Sequence, residues 1–327
     1  MAKKVTMRDV AEGAGVSIAT VSHVINKTRH VNETTHQNVL NTIAELGYMA
    51  NGVTARDDTS RLIGLIIADI REDFYTEIVK AAETTACENN YSLILCDAED
   101  NEQKELFYLQ MLLQQNVQGI ILAPINHKAS PALLKDLSQS VVMIDRFYEE
   151  DRHDFIGINN FNAGREATLH LMRRGAKRIG FIGYDDSVYT IQQRILGYRE
   201  ALTVSGLGSD PHVFRLKYHN DRSIRKIAEM VREHHLDGLV CGTSHACYEA
   251  ISVLREHSIR IPEDMQIITF DESKWFEYLS FPISVVRQPT VEIGTLAVEL
   301  IVNKLLTPSR VKRKPRKIFL DFEIIDH

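Results

Sequence analysis

The sequence contains little that would cross-link the chain or anchor it in a membrane. Only four of its 327 residues are cysteine and one is tryptophan. No apolar run approaches the roughly 20 residues of a membrane span. The N-terminal stretch MAKKVTMRDVAEG lacks both the apolar core and the small-residue cleavage site of a signal peptide. We therefore expect a cytoplasmic protein.

Metal-binding and catalytic motifs are also missing. Cys87, Cys96, Cys241 and Cys247 show no CxxC or Cys/His spacing, so we expect buried, reduced thiols and no metal site. No GxGxxG follows a strand, and GxxxxGK[ST], HExxH and GxSxG do not occur. Dinucleotide, P-loop, zinc-protease and hydrolase chemistry each need one of these motifs. The sequence predicts that the protein is not an enzyme, with no catalytic residues and no cofactor.

The charge is acidic overall but unevenly distributed. A formal net charge of -6 argues against nucleic-acid binding over the whole surface. The first thirty residues nevertheless have a positive excess: their basic residues are Lys3, Lys4, Arg8, Lys27 and Arg29, and their acidic residues are Asp9 and Glu12. Phosphate contacts should therefore concentrate near the N-terminus.

Residues 1–47 contain the signals for three short helices. Thr6 can cap the first helix, and Gly15 tolerates the positive φ of a turn just after it. Ser17 can cap the second helix, and Asn32 opens the third, which Gly47 ends. The predicted inner faces are Val21, Val24 and Ile25 on the second helix and Val39, Leu40, Ile43 and Leu46 on the third.

The second helix, SIATVSHVIN, has a short outer face of small residues. A helix-turn-helix needs small residues for close packing and a second helix that can enter the major groove. Ile18 and Ala19 suit thymine methyl groups, and His23 suits a purine acceptor. Residues suited to phosphate are Thr6, Ser17, Ser22 and Asn26, with Lys27 and Arg29 adding positive charge. A bundle of three helices that binds protein instead of DNA is the alternative.

The segment VTMRDVAEGAGVSIATVSHVINKTRHVNETTHQNVLNTIAELGY resembles the DNA-binding headpiece of the lactose/galactose repressor family, and ATVSHVINKTR is similar to its purine repressor branch. The resemblance implies that residues 48–61 are a hinge. Tyr48 and Asn51 match the family's hinge, so Asn51 is added to the DNA-binding set. Asp57 or Asp58 falls where the family has a leucine that wedges into the minor groove, and a carboxylate cannot serve there. No wedge is assigned.

From Leu62 onward, short apolar runs alternate with longer amphipathic stretches. The runs are LIGLIIA, SLILCD, GIILAP, VVMID, RIGFIG, GLVCG and MQIITFD. Such runs, bounded by turn residues and separated by helices, are typical of parallel strands buried on both faces. The alternation pauses at residues 154–164 and restarts, which predicts two doubly wound α/β units.

Polar residues follow these runs, where open parallel sheets bind their ligands. They are Asp69, Asp97, Asn126, Asp145, Arg146, Asn159, Asn160, Tyr184, Asp185, Thr243, Ser244, Asp271 and Glu272, with aromatic rings nearby at Phe74, Tyr75 and Trp275. This chemistry suits a polyhydroxy compound or a heterocycle. Any one of these residues alone could instead cap a helix or lie in a solvated loop.

Residues 62–327 are similar throughout to the core of the same repressor family, which has the two-lobed fold of type I periplasmic sugar-binding proteins. The resemblance implies a first lobe of about 62–160 and 290–318, and a second lobe of about 161–288 and 319–327. The segments EDFYTEIV, VVMIDR, QQRILGYREAL and ITFDES match family segments that contact the effector. The implied effector-binding residues are Phe74, Tyr75, Asp145, Thr190, Arg194, Thr243 and Asp271.

We predict a sequence-specific DNA-binding regulator, a repressor, that is controlled by a sugar or sugar derivative bound between the lobes. Thr243 and Ser244 replace the family's usual Asn-Asp pair, so the effector differs from the commonest sugar inducers. A purine or other heterocycle acting as corepressor remains open, as does a stand-alone small-molecule-binding protein. No leucine heptad follows the final predicted strand, IFLDFEI, so a homodimer on a palindromic operator is expected.

Overall fold

The structure is a computed structural model. It describes residues 5–26, 28–46, 61–125, 129–135, 137, 139–148, 153–184, 188–206, 211–216, 221–307 and 314–327. The chain divides into two compact units, Met1–Ser60 and Arg61–His327, which we call the headpiece and the core. The predicted hinge up to residue 60 lies outside the described residues. Within the described part, no helix has the length and apolar character needed to cross a membrane.

The headpiece consists of three helices, α1 (Met7–Ala14), α2 (Ile18–Asn26) and α3 (Glu33–Leu46). Thr6 caps α1 through a reciprocal pair of bonds with Asp9, and Gly15 ends it with a φ of 65°. Ser17 Oγ accepts from Thr20 N at 3.0 Å, and Asn32 Oδ1 accepts from Thr35 N at 2.9 Å. The predicted helix starts are therefore confirmed.

The headpiece core is smaller than the sequence pattern predicts. Its buried members are Val10, Ala11, Ala14, Val21, Val24 and Val39, with Ile25 and Ile43 packed against them. Leu40 and Leu46 are each 40% exposed, so neither joins the buried core as predicted, although the Leu46 side chain lies against Gly13 of α1. Thr42 is buried instead, since its hydroxyl satisfies its hydrogen bond within α3 by donating to Asn38 O at 2.9 Å.

The first lobe of the core is built on a six-stranded sheet in the order β11-β5-β4-β3-β1-β2. Its strands are β1 (Leu62–Ile67), β2 (Ser92–Asp97), β3 (Gly119–Leu122), β4 (Ser140–Ile144), β5 (Asp154–Ile158) and β11 (Lys317–Leu320). All neighbours in this sheet are parallel. Its helices are α4 (Asp73–Glu88), α5 (Glu102–Gln114), α6 (Ala129–Leu134) and α11 (Thr290–Leu306).

The second lobe repeats this plan with the order β12-β10-β9-β8-β6-β7. Its strands are β6 (Ile179–Gly183), β7 (His212–Arg215), β8 (Gly238–Cys241), β9 (Gln266–Phe270), β10 (Ser284–Arg287) and β12 (Glu323–Asp326). Its helices are α7 (Asn160–Arg173), α8 (Tyr189–Val204), α9 (Asp221–Glu233), α10 (Ser244–Glu256) and a 3₁₀ helix at Lys274–Tyr278. Only the β10–β12 pair is antiparallel among the described strands. The α/β architecture with largely parallel sheets is confirmed.

The described chain passes between the lobes after β5, after β10 and after β11. The segment IFLDFEI, predicted as one final strand, is in fact divided between two strands. β11 pairs with β5 of the first lobe, whereas β12 pairs with β10 of the second. The first lobe's share of the chain therefore ends at Leu320, two residues after the expected residue 318, and the last crossing falls at residues 321–322. The sequence pattern missed the break because apolar residues stand on both sides of Asp321, so that the segment resembles one strand.

Close packing of α7 against α8 positions the face of α8 that points into the cleft between the lobes. A Cβ atom at Gly164 would lie 2.2 Å from the carbonyl oxygen of Arg194, and one at Gly197 would lie 2.0 Å from that of Phe161. Neither glycine can carry a side chain without the helices moving apart. This contact sets the depth at which Arg194 enters the core.

The cysteines are all free, as expected, but they are not all buried. Cys96, Cys241 and Cys247 are buried, whereas Cys87 is exposed. Cys87 lies in the last turn of α4, on the side away from the apolar residues of that helix. The prediction of four buried thiols is wrong for this position.

Candidate functional site

The outer face of α2 presents the residues predicted to read bases. Ser17, Ile18 and Ala19 are exposed at the start of the helix, and Ile18 is 49% exposed although it is a large apolar residue. Ser17 is already engaged, because its hydroxyl pairs with Thr20 Oγ1 at 2.9 Å. Ile18 and Ala19 thus form a small apolar tip that nothing in the described headpiece covers.

The remaining predicted DNA-contact residues lie around this tip. His23 is half-buried, and its Nδ1 pairs with Thr28 Oγ1 at 2.8 Å, so Nε2 is the ring nitrogen available to a groove. Thr6 and Arg29 are exposed and Ser22 is half-buried. Asn26 ends α2, but its side chain lies outside the described residues, as do Lys27 and Asn51.

In the core, a cavity of about 50 Å³ lies between the two lobes. It is lined by all seven residues predicted to bind an effector: Phe74, Tyr75, Asp145, Thr190, Arg194, Thr243 and Asp271. The same wall includes Asp69, Glu72, Asp100, Arg146 and Gln288. These residues come from strand ends and helix starts of both lobes, as expected for parallel sheets whose carboxyl ends face one crevice.

Arg194 is fixed in the second lobe by contacts on all sides. Its Nε donates to Asn160 Oδ1 at 2.8 Å, and its Nη1 donates to Gly242 O at 2.7 Å. The guanidinium lies 4.0 Å from the centre of the Phe270 ring and 3.9 Å from Asp271 Oδ2. Burial lowers the pKa of Arg194, although Asp271 opposes this effect. A group so completely held is preorganised to bind a ligand in one orientation.

The first lobe contributes a polar chain of four residues. Tyr75 Oη donates to Asp145 Oδ2 at 2.8 Å. Arg146 Nη1 donates to Asp100 Oδ1 at 3.0 Å, and Arg146 Nε lies 3.4 Å from Asp145 Oδ2. Burial raises the pKa of Tyr75 well above its usual value, so its hydroxyl keeps its proton and acts as a donor.

Asp271 stands at the end of β9 in the left-handed region, with a φ of 67°. Its Oδ1 accepts from Gln288 Nε2 at 2.6 Å. Burial raises the pKa of Asp271 to about 6, against the opposing effect of Arg194. The carboxyl group can therefore change its protonation state near neutral pH when a ligand alters its surroundings.

Direct bonds hold the two lobes together around the cavity. Ser244 Oγ donates to Glu72 Oε2 at 3.2 Å, Ser273 Oγ donates to Asp73, and Lys274 Nζ lies 3.8 Å from Glu77 Oε1. Drug-sized ligand sites measure roughly 300–1,000 Å³, several times the volume found. The structure therefore shows a closed cleft, which has to widen to admit a sugar or a base.

A second cavity of about 360 Å³ adjoins the first and shares Phe74, Asp271 and Gln288 with it. Its other lining residues are Asp73, Thr76, Glu77, Glu272, Ser273, Lys274, Glu277, Arg287, Thr290 and His327. Glu272 and Arg287 form a two-point ion pair in this wall, with distances of 2.6 and 2.8 Å. The space beside the closed cleft is thus polar and sizeable.

Sequence reasoning missed three of the lining residues, Glu72, Asp100 and Gln288. Glu72 and Asp100 stand a few residues beyond the ends of β1 and β2, and Gln288 directly follows β10, a strand that is not among the apolar runs found in the sequence. Trp275, expected near the ligand, does not line the cavity and packs against Phe276 at 4.4 Å between ring centres. Among the described residues no group of three potential ligands is placed to bind a metal ion.

Two family models match the chain. Residues 6–51 match the model described as bacterial regulatory proteins, lacI family, and residues 168–325 match a periplasmic binding protein-like domain. The HTH-type transcriptional repressor PurR of Aliivibrio salmonicida (strain LFI1238) is 30% identical over 96% of this chain and 95% of its own length.

Solved structures extend the likeness to the full chain. A lacI family transcriptional regulator from Silicibacter pomeroyi matches with a TM-score of 0.83 and 25% identity, covering 98% of both chains. The complex of the transcriptional regulator CelR with cellobiose matches with a TM-score of 0.71 and 26% identity, again covering 98% of both chains. The chain therefore belongs to the lacI family of bacterial regulatory proteins and is a DNA-binding, effector-responsive transcriptional regulator, not an enzyme.

Proposed function

We propose that the protein is a repressor that binds a palindromic operator as a homodimer and is controlled by a sugar or sugar derivative in the inter-lobe cavity. In this proposal residues 1–47 form the DNA-binding domain, 48–61 the hinge, and 62–327 the effector-binding and dimerisation core. Such a regulator acts where the chromosome is, in the bacterial cytoplasm.

The exposed start of α2 supports the proposed base contacts. Ile18 and Ala19 would meet thymine methyl groups, and His23 Nε2 would meet a purine acceptor. Thr6, Ser17, Ser22, Asn26, Lys27, Arg29 and Asn51 would contact the sugar-phosphate backbone. A single nine-residue recognition helix reads few base pairs, so two-fold pairing of headpieces on two half-sites supplies the missing affinity and specificity.

One observation carries the effector assignment: seven residues chosen from separate stretches of sequence line the same cavity between two lobes. The wall combines the rings of Phe74 and Tyr75 with the guanidinium of Arg194 and the carboxyl groups of Asp145 and Asp271. Hydroxyl groups of a sugar bind such donors and acceptors, and the faces of its ring pack on aromatic side chains. The cellobiose complex of CelR supports a carbohydrate ligand.

A heterocycle such as a purine is the second candidate. Phe74 and Tyr75 form an edge-on pair with centres 5.0 Å apart, which offers a flat base an aromatic wall. In this candidate the purine is a corepressor: by stabilising the closed lobes it promotes DNA binding. The two candidates differ in the sign of the effect on operator affinity and in the compound that binds.

The proposed control mechanism follows from the bonds across the cleft. An effector changes operator affinity only if it binds the closed and open lobe arrangements with different affinity. Arg194 and Asp271 belong to the second lobe, whereas Phe74 and Asp145 belong to the first. A ligand held by both pairs therefore biases the separation of the lobes, and through the hinge the spacing of the headpieces.

The test has two stages with the full-length protein. An operator is first selected from random duplexes, and thermal-shift screening of sugars, sugar phosphates and purines then identifies compounds that stabilise the protein. Operator binding is measured by fluorescence anisotropy with and without each hit. Arg194→Ala and Asp271→Ala should abolish the response, whereas Arg199→Ala, an exposed position on the same helix, should keep it. An unchanged response in Arg194→Ala would place the effector elsewhere, and failure to select any duplex would refute the regulator proposal.

A further inference from the structure

The closed cavity contains a buried donor without an acceptor. Arg146 Nε lies in the interior and makes no hydrogen bond, although Asp145 Oδ2 lies at ion-pair distance, 3.4 Å away. The other end of the guanidinium is taken by Asp100. Buried N–H groups are satisfied in nearly all folded proteins, so an unmet donor in a ligand cavity indicates an acceptor supplied by the ligand.

The cavity also contains a carboxyl group without a cation. Glu72 is the N-cap residue of α4, yet its side chain makes no capping bond. It reaches across the cleft instead and accepts one hydrogen bond, from Ser244 Oγ at 3.2 Å. Glu72 is half-buried, and within the described residues no lysine, arginine or histidine forms an ion pair with it, although carboxylates taken out of water are usually paired.

The other carboxyl groups of the wall have cationic partners. Asp69 is bound by Arg71 at 2.5 Å, Asp100 and Asp145 share Arg146, and Asp271 lies near Arg194. Counting all groups as ionised and including Arg71, which pairs with Asp69, five carboxylates face three guanidinium groups, which leaves two negative charges in excess. An anionic ligand such as a sugar phosphate would be repelled by this wall.

We propose that the effector is a polyhydroxy compound that carries a positively charged amino group, as an amino sugar does. Its ammonium group binds Glu72, and one of its hydroxyl or ring oxygens accepts from Arg146 Nε. This inference rests on the proposed function, since it assigns the chemistry of the ligand in the same cavity. It also gives Glu72, which the sequence did not predict, and Arg146, which the sequence predicted only as a polar residue at a strand end, the role of determining which ligands bind.

The electrostatics around Glu72 agree with a missing cation. Burial, reinforced by the carboxyl groups of Asp271, Asp69 and Asp100, raises the pKa of Glu72 to about 7. The charged groups that surround it in the cavity are Asp69, Asp100, Asp145, Asp271, Arg146 and Arg194, and His245 acts on Asp69. A bound ammonium group would favour the ionised form of Glu72. The affinity for the amine should therefore increase as the pH rises from 5.5 to 7.

The experiment compares matched ligands on the full-length protein by thermal shift and calorimetry. The probes are D-glucosamine, D-glucose, N-acetyl-D-glucosamine and D-glucose 6-phosphate, with the corresponding galactose and mannose series. In at least one series the amine should bind at least about tenfold more tightly than the parent, the acetamide and the phosphate, which is the fold-change a charge-assisted hydrogen bond supports. Glu72→Gln should remove that preference, whereas Glu83→Gln, an exposed position on α4, should retain it. Arg146→Lys should weaken the binding of the parent sugar and of the amine by similar factors.

Every other outcome overturns the inference. If a neutral sugar binds best and binds more weakly as pH rises, Glu72 is a protonated donor and no ammonium group is involved. If a phosphate binds best, or if no amine in the three series binds, the charge argument fails. The proposed function is judged separately: loss of neutral-sugar binding in Arg194→Ala would keep the cavity as the effector site even when the amine preference is absent.

Discussion

Replacing Gly164 by alanine tests whether the contact between α7 and α8 fixes the site. The added Cβ would lie 2.2 Å from the carbonyl oxygen of Arg194. Ordinary carbon-oxygen contacts lie near 3.3 Å, so the helices would have to separate by about 1 Å. Overpacking of this kind costs about 1–3 kcal/mol.

Helix propensity predicts the opposite sign for the change in stability on Gly164→Ala. Gly164 lies inside α7, where alanine is more favourable than glycine by about 0.5–1 kcal/mol. If the steric clash dominates, Gly164→Ala lowers the free energy of unfolding by about 1–2 kcal/mol and moves Arg194 enough to weaken effector binding. If propensity dominates, the variant is more stable than the wild type.

Urea denaturation followed by tryptophan fluorescence distinguishes these results. Trp275 is the only tryptophan of the chain and packs in the second lobe, the same lobe as α7 and α8. Gly197→Ala would place its Cβ 2.0 Å from Phe161 O, so it should lower stability as Gly164→Ala does. Asn162→Ala, at an exposed position on α7, should stay within about 0.5 kcal/mol of the wild type. A midpoint for Gly164→Ala at or above that of the wild type would refute the reasoning.

Three further predictions concern single side chains. Tyr75→Phe removes the donor to Asp145 and should lower stability by about 1–2 kcal/mol in urea denaturation, because a buried acceptor loses its partner; no change would mean that water replaces it. His23→Ala should relax base preference at one operator position, whereas Arg29→Ala should weaken binding to every duplex and reduce the slope of log affinity against log salt by about 1. Both effects are measured by fluorescence anisotropy. A base-independent loss of affinity for His23→Ala would make His23 a phosphate contact. Because burial raises the pKa of Asp271 to about 6, the folded state binds its proton more tightly. As the pH rises from 4 to 7, stability should therefore fall by about 2 kcal/mol more in the wild type than in Asp271→Asn, and parallel pH profiles would contradict this.

Much of the fold follows from apolar periodicity. Continuous apolar runs at β1, β3 and β4 predict strands buried on both faces, and their burial in the structure agrees with that reading. Periodicity could not show that IFLDFEI divides between two sheets, because the break depends on which lobe each half can pair with. Nor could it show that Leu40 and Leu46 remain 40% exposed, since three helices cover α3 only in part.

The candidate site was predictable where function and strand topology coincide. Asp145 and Asp271 directly follow strands, and both have positive φ values that turn the chain at the cleft. Glu72 was not predictable, because a glutamate before a helix usually stabilises the helix N-terminus. Its reach toward Ser244 depends on the approach of the other lobe, which local sequence does not encode.

The position of β11 affects how the protein is made. The first lobe spans residues 62–158 in sequence, yet its edge strand and α11 come from residues 290–320. Ile293, Ala297 and Ile301 of α11 complete the apolar interior of that lobe. During synthesis the lobe therefore stays unfinished, with the edge of β5 unpaired, until nearly the entire polypeptide has left the ribosome. The second lobe also waits for its last strand, β12 (Glu323–Asp326), which pairs with β10, so both halves of the core are completed only at the end of synthesis.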